Sequence, residues 1–273
     1  MIVALHTAPR GFFKSGPPHA EDELLRLVRK AASMGFRCFE VGPLCDFAHI
    51  DGKRLKSVLS QYGLKSCVHV GGLYDAERFA KTKEEYGRMQ AEIHRGVELC
   101  REIDSQLVSL HPPFSVAKSV QDKTFVSAAK ARFLRIIEEE LEFACSNKIK
   151  LALESFCYPP FIFEGLQDFA QFVSHFPSAE FGVLLEVGHL YQAKFSLDKA
   201  TRAFKGRLLD VHIHDATLET DFRKATHLPI GKGTIDFHNL ISILHRANYD
   251  GWLTLEIHGN ENEVVKSKQF PRT

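Results

Sequence analysis

Histidine and carboxylate residues mark the ends of the short apolar runs of this 273-residue chain. His6 follows the first run, Glu40 lies in the second, and His69, His111 and Glu154 stand at the ends of the next three. Glu186 and His189 go with the sixth, His212, His214 and Asp215 with the seventh, and Glu256 and His258 with the eighth. About half of the fourteen histidines therefore fall at such positions. Imidazole and carboxylate together form a donor set for Zn²⁺ or Mn²⁺, whereas an all-oxygen set would suit Mg²⁺ or Ca²⁺. Carboxylates are also groups that accept and return protons at a substrate carbon. Taken singly, each residue reads as readily as a hydrogen-bonded core histidine or a structural carboxylate. Their convergence favours a cation, because burying many ionisable groups together is costly without one.

Convergence requires elements that bring these positions to one place. The apolar runs Ile2–Leu5, Cys38–Val41, Leu64–Val70, Gln106–Leu110, Lys150–Leu153, Gly182–Val187, Leu208–Ile213 and Leu253–Ile257 read as strands. Most are continuous rather than alternating, which suits strands covered on both faces in a parallel sheet. Segments of helical period separate them: Ala20–Met34, Ala76–Glu102, Phe125–Asn147, Leu166–Phe176, Leu197–Phe204 and Phe237–Ala247. After the last strand the remaining chain allows only a short final helix, or none. Eight strand–helix units imply right-handed crossovers and predict an α/β fold, a (β/α)8 TIM barrel spanning 1–273 as one domain. In such a barrel the βα loops converge at the carboxyl ends of the strands, where these residues fall.

Composition narrows the function classes. Charged residues make up 25% and hydrophobic ones 44%, with a formal net charge of +1. Nothing in that balance demands a polyanion, so nucleic acid and membrane surfaces are not expected partners. Six scattered cysteines without a C-x-x-C pair argue against a zinc ribbon or a disulfide scaffold. Cys67 and Cys145 read as small buried hydrophobes. Without a signal-like segment or a run of roughly 20 apolar residues, the expected setting is the reducing cytoplasm.

The C-terminal third carries a family resemblance. Val211-His212-Ile213-His214-Asp215, then His227-Leu228-Pro229-Ile230-Gly231-Lys232-Gly233, then Tyr249-Asp250-Gly251-Trp252 through Glu256 resemble the xylose-isomerase-like barrels. The closest likeness is to their sugar phosphate isomerase/epimerase family, to which endonuclease IV is related. Leu151–Glu154 and Leu185–His189 fit the fifth and sixth strands of that pattern. The resemblance implies one divalent ion, Mn²⁺ or Zn²⁺, held by Glu154, Glu186, His212 and Glu256. It also implies that Glu154 and Glu256 act as paired acid/base groups on a small carbohydrate substrate, phosphorylated or not. His69, His111, His189 and His227 match positions that hold further metals in endonuclease IV.

Two departures accompany it. The strand-six acid of the family is usually Asp, and here it is Glu186, one methylene longer. The acid expected two residues before His227 is absent, because that position is Ala225. An isomerase or epimerase is the leading expectation, with a dehydratase or lyase using the same metal and carboxylates beside it. A zinc phosphodiesterase acting on abasic DNA is the alternative from another class, with Leu73 and Tyr74 as candidate wedge residues. A barrel that keeps part of the site without catalysing anything is the third. His6, Glu40, Phe156 and Arg223 are expected at the substrate, and His214 and Asp215 behind the metal ligands. The aromatic loop Phe156–Phe161 reads as a lid or a subunit contact, consistent with a homodimer. Gly231-Lys232-Gly233 reads as a tight turn, lacking the context of a phosphate loop.

Overall fold

Eight parallel strands close into a barrel in the computed structural model, which describes residues 1–6, 21–42, 47–71, 74–114, 123–155, 162–219 and 225–270. They are β1 (Ile2–His6), β2 (Cys38–Val41), β3 (Lys65–Val70), β4 (Leu107–Leu110), β5 (Lys150–Glu154), β6 (Phe181–Glu186), β7 (Leu208–Ile213) and β8 (Trp252–Leu255). Each pairs with its neighbours in chain order, and β1 closes the ring against β8.

The outer helices are α1 (Glu21–Ser33), α2 (Gly52–Gln61), α3 (Ala76–Lys81), α4 (Lys83–Glu102), α5 (Lys123–Ser146), α6 (Leu166–Ser174), α7 (Val187–Gln192), α8 (Leu197–Ala203), α9 (Phe237–Arg246) and α10 (Glu261–Gln269). Helix α1 turns Leu24, Leu25, Leu27, Val28 and Ala31 to the core and opens with Glu21, Asp22 and Glu23, where acidic groups suit the helix dipole. The expected single helix over 76–102 is broken. Thr82 is extended and its hydroxyl accepts the Glu85 N–H, so one helix ends and another starts there. Helices α2 and α7 lay outside the sequence expectation. The final helix is present but short, and is fixed by a capping box between Asn260 and Glu263. Among the described residues, no helix is long and apolar enough to cross a membrane.

The barrel interior is unusual in its small side chains. Side chains two residues apart on a strand share a face. Ala4, Cys38, Cys67, Ser109, Ala152 and Thr254 therefore share the inner face with the strand-exit residues, and all are fully buried. Barrels of this type are commonly filled by bulky branched side chains. Small ones leave room on the axis for long polar groups.

Candidate metal centre

Strand register sets the height of each polar side chain in the barrel. His6 aligns with Glu40, and Glu40 aligns with Cys67, two residues before His69. Glu186 aligns with His212. Glu40 is consequently one inward-facing level below His69, and the barrel carries its polar groups in tiers.

The lower tier is Glu40 with three imidazoles above it. His6, His69 and His212 form a triangle with ring centroids 5.2–5.7 Å apart. Each ring faces Glu40 Oε2 with one nitrogen: His212 Nε2 at 2.9 Å, His6 Nε2 at 3.7 Å and His69 Nδ1 at 4.0 Å. The other nitrogen faces a carboxylate at the strand exits. His69 Nε2 is 3.2 Å from Glu154, His6 Nδ1 is 3.9 Å from Glu256, and His212 Nδ1 lies 3.2 Å from Glu186 and 3.0 Å from Glu256. Above these carboxylates stands a second triangle, His189, His214 and His227, with centroids 4.2–5.4 Å apart.

The electrostatics follow from burial and proximity. Burial by itself would raise the carboxyl of Glu40, but His212, His6 and His69 hold it down at about 2. Glu154 is held below the usual carboxylate range in the same way by His111 and His69, and Glu256 well below it by His6, His227 and His212. Burial pulls His212 down, yet Glu40, Glu186 and Glu256 outweigh it and lift the ring well above its ordinary value. With no other cation the carboxylates thus recruit a proton onto His212. His111 and His227 go the other way, chiefly through burial. Their tautomers are set by backbone carbonyls: His111 Nδ1 meets Pro112 O and His227 Nδ1 meets Glu256 O, both at 3.1 Å. A carbonyl can only accept, so Nε2 of each neutral ring carries the lone pair.

A divalent ion fits the exit donors. Two ligands held about 2.1 Å from one ion stand roughly 3.0–3.4 Å apart in octahedral or tetrahedral arrays. The separations from His212 Nδ1 to Glu186 and Glu256 match that edge. Glu186 is fully buried with imidazoles against both carboxylate oxygens, His214 Nε2 2.7 Å from Oε1 and His212 Nδ1 3.2 Å from Oε2. Glu186, His212 and Glu256 bring ligand atoms within 4.8 Å of one another, as do Glu154, Glu186 and His189, so Glu186 links the two groups. The extra methylene of Glu186 does not carry its carboxylate away from the cluster. Glu256 and His227 keep 17% and 13% of their side chains exposed, so they form the accessible edge of an otherwise closed set.

Four sequence expectations are corrected. His6 and Glu40, expected at the substrate, are fully buried in the lower tier, because their register sets Glu40 a level beneath His69. Asp215 does not reach the His212 region. Its carboxylate instead accepts the N–H groups of Ala216, Gly231, Gly233 and Ile235 at 2.8–3.1 Å, wrapping the 228–235 segment around itself. Gly231 suits this turn with φ of 87°. Cys145 is half-buried, unlike Cys67. Tyr74, a candidate wedge, is buried with its hydroxyl on Glu92. His214 does stand behind Glu186, with Nε2 2.7 Å from Oε1. Phe156 and Arg223, with Leu73, lie outside the described residues.

Sequence reasoning missed Asp210, Cys67 and Thr254. Asp210 accepts the Thr254 hydroxyl at 3.0 Å, and burial lifts its carboxyl to about 7. The signal was available: Asp210 and Thr254 stand two residues before His212 and Glu256, and strand alternation turns them inward.

The xylose isomerase-like TIM barrel family matches residues 28–272. An uncharacterized protein of Methanocaldococcus jannaschii is 25% identical over 263 residues, covering 91% of this chain and 84% of that protein. The solved D-tagatose 3-epimerase-like protein superposes with a TM-score of 0.80 at 21% identity, covering 100% of this chain and 96% of that one. The IOLI protein with a bound zinc atom superposes with a TM-score of 0.74 at 15% identity, covering 100% and 95%. Matched along nine-tenths of its length, the chain belongs to the xylose isomerase-like TIM barrel family.

Proposed function

We propose that this protein is a divalent-metal-dependent isomerase or epimerase of a ketose or ketose phosphate, moving a proton at the carbon next to the carbonyl. One observation carries the reading: Glu186, His212 and Glu256 meet at ligand-edge distances, with Glu154 in the adjoining group. These four residues would hold the ion. When bound, a divalent ion polarises the substrate carbonyl and makes the neighbouring C–H more acidic. Zn²⁺ or Mn²⁺ suits the mixed imidazole and carboxylate donors.

The chain supplies the proton transfer. Neighbouring imidazoles keep Glu154 and Glu256 ionised despite burial, so each is ready to accept a proton. They stand on β5 and just beyond β8, with β6 and β7 between them. Abstraction by one and return by the other inverts a stereocentre; return to the adjacent carbon moves the carbonyl. Solved structures named as sugar epimerases share the fold and support the substrate class.

The test is solvent-deuterium incorporation, followed by proton NMR, across ketoses and their phosphates with Mn²⁺ or Zn²⁺. Exchange at a carbon next to the carbonyl, lost on chelation, is expected. Release of water to give an unsaturated product would move the reading to a lyase using the same residues.

The His189, His214 and His227 group favours a second reading, a zinc phosphodiesterase. Ala225 in place of an acid and the buried Tyr74 weigh against it. Cleavage of abasic-site DNA without ketose exchange would reverse the order.

A further inference from the structure

The lower tier has the makings of a binding site in its own right. His6, Glu40 and His69 are each at most 2% exposed, and their ligand atoms lie within 4.8 Å of one another. Glu40 Oε1 is taken by the Cys67 thiol at 3.5 Å. His69 Nδ1 is buried without a hydrogen bond and faces Glu40 Oε2 across 4.0 Å, while the near contact of that oxygen is His212 Nε2 at 2.9 Å. Leaving such a nitrogen unsatisfied typically costs about 1–3 kcal/mol. The Cys67 thiol donates to Oε1, so Oε2 is the oxygen left facing the imidazoles.

Charge points the same way. Glu40, Glu154 and Glu186 are buried carboxylates and Glu256 a partly buried one, and the ion-pair partners of all four among the described residues are histidines. One divalent ion at the strand exits would balance two of the four charges; the rest falls to imidazoles lifted above their ordinary values, His69 and His214 among them, or to a second cation. Of these four, Glu40 lies farthest down the barrel, with Asp210 next to it across Cys67.

We infer that His6 Nε2, His69 Nδ1 and Glu40 Oε2 form a second, deeper site for a zinc-class divalent ion, inside the barrel and beneath the exit centre. Two imidazoles and one carboxylate are a familiar zinc donor set. Donor separations of 3.7 and 4.0 Å would close to about 3.4 Å in a tetrahedral shell, a few tenths of an ångström of side-chain movement. The fourth position faces His212, whose Nε2 lies 2.9 Å from the same Glu40 oxygen. The charge argument rests on the exit ion of the proposed function; the donor geometry does not.

The experiment is zinc stoichiometry of the full chain, stripped with chelator, reloaded and desalted, by elemental mass spectrometry. Wild type is expected to retain at least two ions per chain, and Glu40→Gln one fewer. Glu154→Gln weakens the exit centre and leaves the deep ion. Equal stoichiometry in wild type and folded Glu40→Gln would overturn the inference, since any second ion would then lie elsewhere. Anomalous diffraction from zinc-loaded wild-type crystals needs no variant. A peak between His6, Glu40 and His69 supports the deep site, and zinc elsewhere with none there refutes it. A deep peak without an exit peak would instead remove the proposed exit centre.

Discussion

Nε2 of His214 stands 2.7 Å from Oε1 of Glu186, while Nδ1 of the same ring lies 2.9 Å from the backbone nitrogen of His227 and 3.1 Å from the carbonyl oxygen of Asp215. Burial pulls the His214 ring down, but Glu186 outweighs it and lifts the ring above its ordinary value, so Nε2 carries a proton toward the carboxylate. His214 thereby presses Glu186 into the cluster from behind, leaving Oε2 to face His212. Residues that orient a ligand typically change metal affinity by 10–100-fold when removed. His214→Ala should weaken zinc binding by about that factor, read by competition with a chromophoric chelator. Unchanged affinity would mean that Glu186 is held by something else.

Gly188 tests the same arrangement through packing. It lies in α7 so close to the His214 ring that an added methyl would overlap it. Gly188→Ala should shift the ring and reproduce the zinc-affinity loss of His214→Ala. A variant indistinguishable from wild type would show that the ring can yield without disturbing Glu186.

Glu154→Gln and Glu256→Gln keep side-chain shape and remove the basic oxygen. Each should lower turnover of an accepted ketose by at least about 10³-fold, within the range for general acid–base groups. Far-UV circular dichroism should be unchanged. Wild-type-like turnover in either variant would eliminate the two-carboxylate mechanism.

Asp215 should matter to stability rather than chemistry. Four backbone N–H groups converge on its carboxylate, and Asp215→Ala would leave buried donors unsatisfied. The expected loss is roughly 3 kcal/mol, seen as a lower urea midpoint at unchanged slope. A loss under about 0.5 kcal/mol would show that water replaces the carboxylate.

Chelation gives a test free of mutation. An ion at a free concentration of 100 Kd adds about 2.7 kcal/mol to stability. Removing it should lower Tm by roughly 5–10 °C. No shift would mean that the folded chain does not bind the ion in preference to the unfolded one.

Most of the fold was legible from the sequence, because continuous apolar runs bounded by helical periods specify strands covered on both faces. The strand ends agree within one or two residues, as β3 and β6 illustrate. The break at Thr82 was harder: helical periodicity runs through it, and only the Thr82 hydroxyl on the Glu85 N–H separates the helices. Exit positions could be read from alternation, but heights could not. Glu40 and His69 both look like strand-exit residues, and only the pairing of Glu40 with Cys67 shows which is lower. Asp215 was misjudged for a related reason. Its neighbours in the chain are His212 and His214, whereas its bonding partners lie up to twenty residues away.

The exit donors are carried by the barrel wall. Glu154 and Glu186 close hydrogen-bonded strands, His212 lies within one, and the Glu256 N–H donates to Ile213 O at 3.2 Å. Substrate choice in such barrels resides in the connecting loops, which are exchangeable parts on a fixed chassis. A chimera with residues 156–161 taken from another family member should keep the ion stoichiometry of its parent, and under the proposed function its ketose preference is the property left to change. Chemistry and palate would then be separately editable, and a library confined to that segment could be screened for new sugars without rebuilding the metal centre.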